Sequence, residues 1–128
     1  MTPLVPTSWG ELLDKITILE IKSERLTSES ALKNVRHELT RLAALVPPAD
    51  KLDPKIANLK AALKKVNETL WQIEDDIREK EAQKSFDERF VSLARAVYHN
   101  NDERGRIKRD INIVMKSELV EEKQYAAY

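Results

Sequence analysis

Between residues 56 and 77 the apolar side chains Ile56, Leu59, Leu63, Val66, Leu70, Ile73 and Ile77 alternate steps of three and four without a miss. Three heptads of that kind specify a coiled-coil-like seam, a helix obliged to lie along another helix for most of its length. Asp53-Pro54 supplies its start, with Asp as cap and Pro at the first helical position. The spacing therefore predicts a helix over 54–82. Upstream, Val46-Pro47-Pro48-Ala49-Asp50-Lys51-Leu52 cannot be helical throughout, because consecutive prolines remove amide donors and clash with the preceding turn.

Ser8-Trp9-Gly10-Glu11 fits a capping box, in which the Ser hydroxyl caps the third helical amide and the Glu side chain reaches back. From there Leu12, Ile16, Leu19 and Leu26 keep helical steps, then the stripe shifts phase to Leu32, Val35, Leu39 and Leu42. No proline or glycine intervenes between Gly10 and Pro47, so one helix over 9–45 is expected. A short loop between long helices makes them antiparallel neighbours. Ser85-Phe86-Asp87-Glu88 reads as a second capping box that opens a helix over 86–98. Asn100-Asn101 reads as a turn, and Asn100-Asn101-Asp102-Glu103 as the start of a last helix over 102–116. The tail, 117–128, reads as irregular and draped over the base through its tyrosines. The fold class expected is all-α: a long antiparallel helical hairpin with two short C-terminal helices packed on its base, in a single domain 1–128.

Composition agrees with that class. Aromatics are 5% and there are two glycines, which suits long helices better than a β-sandwich. The 22 cations and 22 carboxylates cancel, so nothing pulls the whole molecule towards nucleic acid or an anionic membrane. There is no cysteine, which removes disulfides, thiolate catalysis and thiolate metal sites together. No apolar run approaches membrane-spanning length, and a cytoplasmic protein without cofactor is the expectation.

Polar chemistry concentrates between Val97 and Asn112. Arg104, Lys108 and Asn112 follow at four-residue steps on one helix face, and arginine's planar fork suits phosphate or carboxylate. The functional reading gathers Asp14 and Arg25 from the first helix with Arg104, Lys108, Asn112, Asn101, Tyr98 and Trp9 around a small anion. The plainer reading is an interhelical ion-pair network with no ligand. Helices 86–98 and 102–116 also have the outline of a helix-turn-helix, but Gly105 and the neighbours Asp102, Glu103 and Asp110 count against nucleic-acid binding. His37, mid-helix among charges, reads as surface, whereas His99 beside Tyr98 is a conceivable general base. No His, Asp or Glu pair carries a metal-ligand spacing, so no metal is expected.

The runs Ser8-Trp9-Gly10-Glu11-Leu12-Leu13-Asp14-Lys15-Ile16-Thr17-Ile18-Leu19-Glu20-Ile21-Lys22 and Asn101-Asp102-Glu103-Arg104 with Ile107-Lys108-Arg109 and Ile111-Asn112 resemble a bacterial family of small helical proteins labelled a domain of unknown function. The resemblance covers nearly the whole chain and implies either a role accessory to surface-polysaccharide biosynthesis or one related to sugar nucleotides. A fainter one, carried by the cadence of Glu11 to Arg25, is to the all-helical chorismate mutases, and implies a small enzyme acting on an anionic metabolite. The leading expectation is a non-catalytic interaction or small-anion-binding module. A homodimer is expected, since a long hairpin exposes apolar surface that a second copy covers, and a protein partner could dock along the same hairpin.

Overall fold

A computed structural model describes residues 1–128. It holds four α-helices and no strand: Trp9–Arg25 (α1), Glu29–Ala43 (α2), Lys55–Ala82 (α3) and Glu88–Val114 (α4), with one 3-10 turn at Ala49–Lys51 in the proline segment. The molecule is all-helical, and no helix is long and apolar enough to cross a membrane.

The partition into helices departs from the sequence reading in two places, and both change the architecture. The helix expected over 9–45 breaks at Leu26-Thr27-Ser28. Leu26 is extended, at φ −71° and ψ 146°, and the Ser28 hydroxyl accepts from the Ala31 amide at 3.4 Å, capping α2. The physical reason is the phase shift between the two stripes. A straight helix cannot bury Leu12–Leu19 and Leu32–Val35 against one neighbour, whereas a break lets α2 fold back on α1. The pair Lys15–Glu38, 3.2 Å apart, marks that antiparallel register.

The second departure is that helices 86–98 and 102–116 are one helix, α4, with no turn at Asn100-Asn101. Both asparagines are accommodated inside it: Asn100 Nδ2 donates to the Ala96 carbonyl at 2.8 Å, and Asn101 Oδ1 accepts from Arg104 Nη1 at 3.5 Å. Their poor helix propensity costs roughly 0.7 kcal/mol each relative to alanine, less than the packing of a continuous α4 against α3 returns. The helix-turn-helix reading falls with the missing turn. The long hairpin is therefore α3–α4, and the shorter α1–α2 hairpin packs across it.

The α3–α4 turn is fixed from both sides. Lys84 takes the left-handed conformation, φ 54°, while the Ser85 amide donates to the Lys80 carbonyl at 3.0 Å, the six-to-one bond of a Schellman motif. Asp87 then starts α4 by accepting from the Phe90 amide at 2.9 Å. A hydrogen bond from Lys80, helped by that cap amide, pulls the Asp87 carboxyl down to about 2.

The core draws Leu12, Leu13 and Ile16 from α1, Ile56 and Leu63 from α3, and Ile107 and Ile111 from α4. These come from the first half of α3 and the last of α4. None of residues 74–92 is buried, so the distal hairpin extends past the core.

Candidate anion site

The start of α1 docks against the end of α4 through its own backbone donors. A helix leaves its first amides without intrahelical partners, and here three are taken by side chains. The Glu11 amide donates to Ser8 Oγ at 3.1 Å, the Trp9 amide to Ser117 Oγ at 2.9 Å, and the Gly10 amide to Asn112 Oδ1 at 2.7 Å. Ser117 is aimed by a second left-handed residue, Lys116 at φ 53°, which ends α4 as Lys84 ends α3. Gly10 is required by the close approach: a Cβ there would collide with the Lys108 backbone carbonyl. Only half of the expected capping box forms, because the Glu11 carboxylate turns away to Lys108 Nζ, 2.8 Å distant.

One helical turn on, Asp14 is 1% exposed. A carboxylate so buried must be paired and hydrogen-bonded. Arg104 holds it with a two-pronged fork, Nε to Oδ1 at 2.8 Å and Nη2 to Oδ2. Asn67 Nδ2 donates at 3.0 Å both to Asp14 Oδ1 and to Thr17 Oγ1. The hydrogen bond to Asp14 holds the Arg104 guanidinium above its ordinary range, against the opposing effect of burial. No buried side-chain nitrogen or oxygen is left without a partner.

Beyond it, Lys108 bridges Glu11 at 2.8 Å and Glu121 of the tail at 2.9 Å. Burial lowers the affinity of Lys108 for its proton, but the two carboxylates outweigh it and hold the ammonium above the ordinary lysine value. Arg109 meets Glu122 at 3.3 Å, and the Tyr128 hydroxyl donates to Asp102. The tail thus runs back along α4 as a strap. Beneath it lies a cavity of about 470 Å³ whose walls carry Arg106, Lys108, Arg109 and Lys123 against Asp102 and Glu121.

The eight residues singled out from sequence divide into three groups. Asp14, Arg104, Lys108, Asn112 and Trp9 meet at the α1–α4 junction, and Asn101 joins them through Arg104. Arg25 does not join, contrary to expectation. It lies eleven residues past Asp14, about 16 Å along the helix, with its guanidinium 5.9 Å from the Trp71 ring centre. Tyr98 lies up α4, its ring 4.8 Å from that of His99 and 5.2 Å from that of Tyr128. The convergence of Arg25 with Asp14, Arg104 and Lys108 that a chorismate-mutase-like reading needs is not present, since Arg104 is spent on Asp14. Sequence reasoning missed Asn67, Glu121 and Glu122. Asn67 had a signal: it stands four after Leu63 and three before Leu70, on the buried stripe itself.

Comparison with known proteins adds one finding. A family described as a family of unknown function (DUF6165) matches residues 4–128, and the chain belongs to it. No curated protein and no solved structure matches.

Proposed function

We propose that this member of a family of unknown function is a non-catalytic module that binds a small anion between α4 and the C-terminal tail. The observation that carries the reading is the cavity wall, with four cations against two carboxylates in about 470 Å³, a size typical of ligand pockets. Two of those cations are open to exchange: Arg106 and Arg109 have side chains 67% and 54% exposed, and their pairs with Glu103 and Glu122 lie at the surface. Exposed pairs of that kind contribute little, so a phosphate or carboxylate ligand can replace them. Arg104 and the buried Lys108 serve instead as the frame. The association of the resembling bacterial family with surface-polysaccharide biosynthesis, where intermediates carry phosphate, gives the proposal its setting as an accessory role.

Thermal denaturation with inorganic phosphate, pyrophosphate and citrate tests it. An anion at a hundred times its dissociation constant adds about 2.7 kcal/mol, a rise of several degrees in the midpoint for a domain of this size. The rise is expected with wild type and absent in an Arg106→Ala/Arg109→Ala variant. A flat response of wild type to all three anions overturns the reading.

A second reading concerns the distal hairpin. Phe86 and Val91 are 57% and 53% exposed there, and Phe86 meets Phe90 edge to face at 5.1 Å. We infer a contact surface for a second copy of the chain. Sedimentation should show a concentration-dependent dimer that Phe86→Glu abolishes, and a monomer at every concentration would remove this reading.

A further inference from the structure

The cationic cavity does not stand alone. A second cavity of about 420 Å³ adjoins it up α4, and Asp102, Lys123, Tyr125 and Tyr128 line both. The added wall brings one ring, Tyr98, set edge to face against Tyr128 of the common wall at 69°, and Tyr125, also on the common wall, is 75% exposed. Tyr98, Asp102, Arg106 and Arg109 stand at steps of four, four and three along α4. One helix face therefore presents an aromatic ring, then a carboxylate, then two guanidinium groups. From Tyr98 to Arg106 is roughly 12 Å at 1.5 Å per residue.

On the anion-binding reading above, we propose that the ligand is a nucleoside diphosphate: a flat ring, a hydroxylated linker and two phosphates. Each part meets the chemistry it requires. A nucleobase stacks on exposed tyrosine rings whatever its identity, since every base has a π-face, and one such contact raises affinity roughly tenfold or more. Asp102, midway along the face, accepts hydrogen bonds from sugar hydroxyls; the Tyr128 hydroxyl engages only one of its two oxygens. Lys123, on the wall common to both cavities, and the forks of Arg106 and Arg109 take the phosphates. A bare phosphate engages the cations alone, and an uncharged nucleoside the rings and Asp102 alone.

Isothermal titration of the full chain at moderate salt, with inorganic pyrophosphate, uridine, uridine diphosphate and adenosine diphosphate, separates the possibilities. Both nucleotides are expected to bind at least tenfold more tightly than pyrophosphate, with uridine weaker than either nucleotide. In Tyr98→Ala the ratio of nucleotide to pyrophosphate affinity should fall towards one. Tyr125→Ala, in the exposed tail where folding is not at stake, should lower the same ratio. Equal affinities for pyrophosphate and the nucleotides would overturn the nucleotide inference and leave the anion site standing. Uridine binding as tightly as its diphosphate would overturn both readings, and so would no binding by any probe.

Discussion

At the scale of single residues the molecule turns on Asp14. Removing one partner of a buried ion pair leaves the other charge uncompensated, which costs about 3–5 kcal/mol. Arg104→Ala, which strands the buried carboxylate, is expected to lose that much in chemical denaturation, and Asp14→Ala, which strands a half-buried guanidinium, less. The double variant should lose clearly less than the sum, because each single change strands the other's charge and the double change leaves neither behind. Additive losses would show that the fork contributes nothing specific. Gly10→Ala, which forces a methyl group into the Lys108 carbonyl, should cost about 1–3 kcal/mol as overpacking does, and a circular-dichroism melt would show it. These residues were unevenly legible. Asp14 among isoleucines and Arg104–Lys108–Asn112 at four-residue steps mark a polar junction in sequence alone. Which carboxylate each cation meets was not legible, because Glu121 and Glu122 reach α4 from a tail without periodicity.

Among the elements, α3 was read to within one residue, because seven apolar positions in heptad register admit no other structure. The two departures from the sequence pattern share a cause, which is that the partner each helix finds decides where it breaks or continues. Thr27-Ser28 carried no proline or glycine and passed as helix, although serine is a strong cap and the stripe changes phase there. Asn100-Asn101 passed as a turn, although Leu93, Val97, Arg104, Ile107 and Ile111 stay in phase across it. Tertiary packing overrides weak propensity in both directions. Proline tests the continuity of α4. In the interior of a continuous helix, Asn100→Pro removes a backbone donor and clashes with the preceding turn, at a cost of about 3 kcal/mol or more. The same substitution in an interhelical turn would be nearly neutral, so a melting temperature within a degree or two of wild type would contradict the structure.

At the scale of the whole molecule the strap reaches both parts of the site, with Glu122 on Arg109, a cation assigned to the ligand, and Glu121 on Lys108 of the frame. The Glu121 carboxyl is held below its ordinary value of 4.5, chiefly by the hydrogen bond from Lys108. A group with a depressed folded pKa contributes stability above its unfolded value, and that contribution disappears as pH falls through the folded one. The strap's attachment should therefore persist from neutrality down to the ordinary carboxylate range and weaken below it. Lys108, held above its ordinary 10.5, acts in the opposite sense, its contribution lost only as pH rises past that value. Between these limits Glu121 on the buried Lys108 keeps the strap closed, and only the exposed Arg109–Glu122 pair is open to displacement by an anion. Backbone ¹⁵N relaxation of residues 119–128 would report it. Wild type should show an ordered tail at pH 7 and rising mobility below pH 4, while Glu121→Gln should be more mobile already at pH 7 and change less on acidification. A tail equally rigid from pH 7 to pH 3 would show that apolar contacts, not Lys108, hold the strap, and a displaceable closure over the cavity would then have no electrostatic basis.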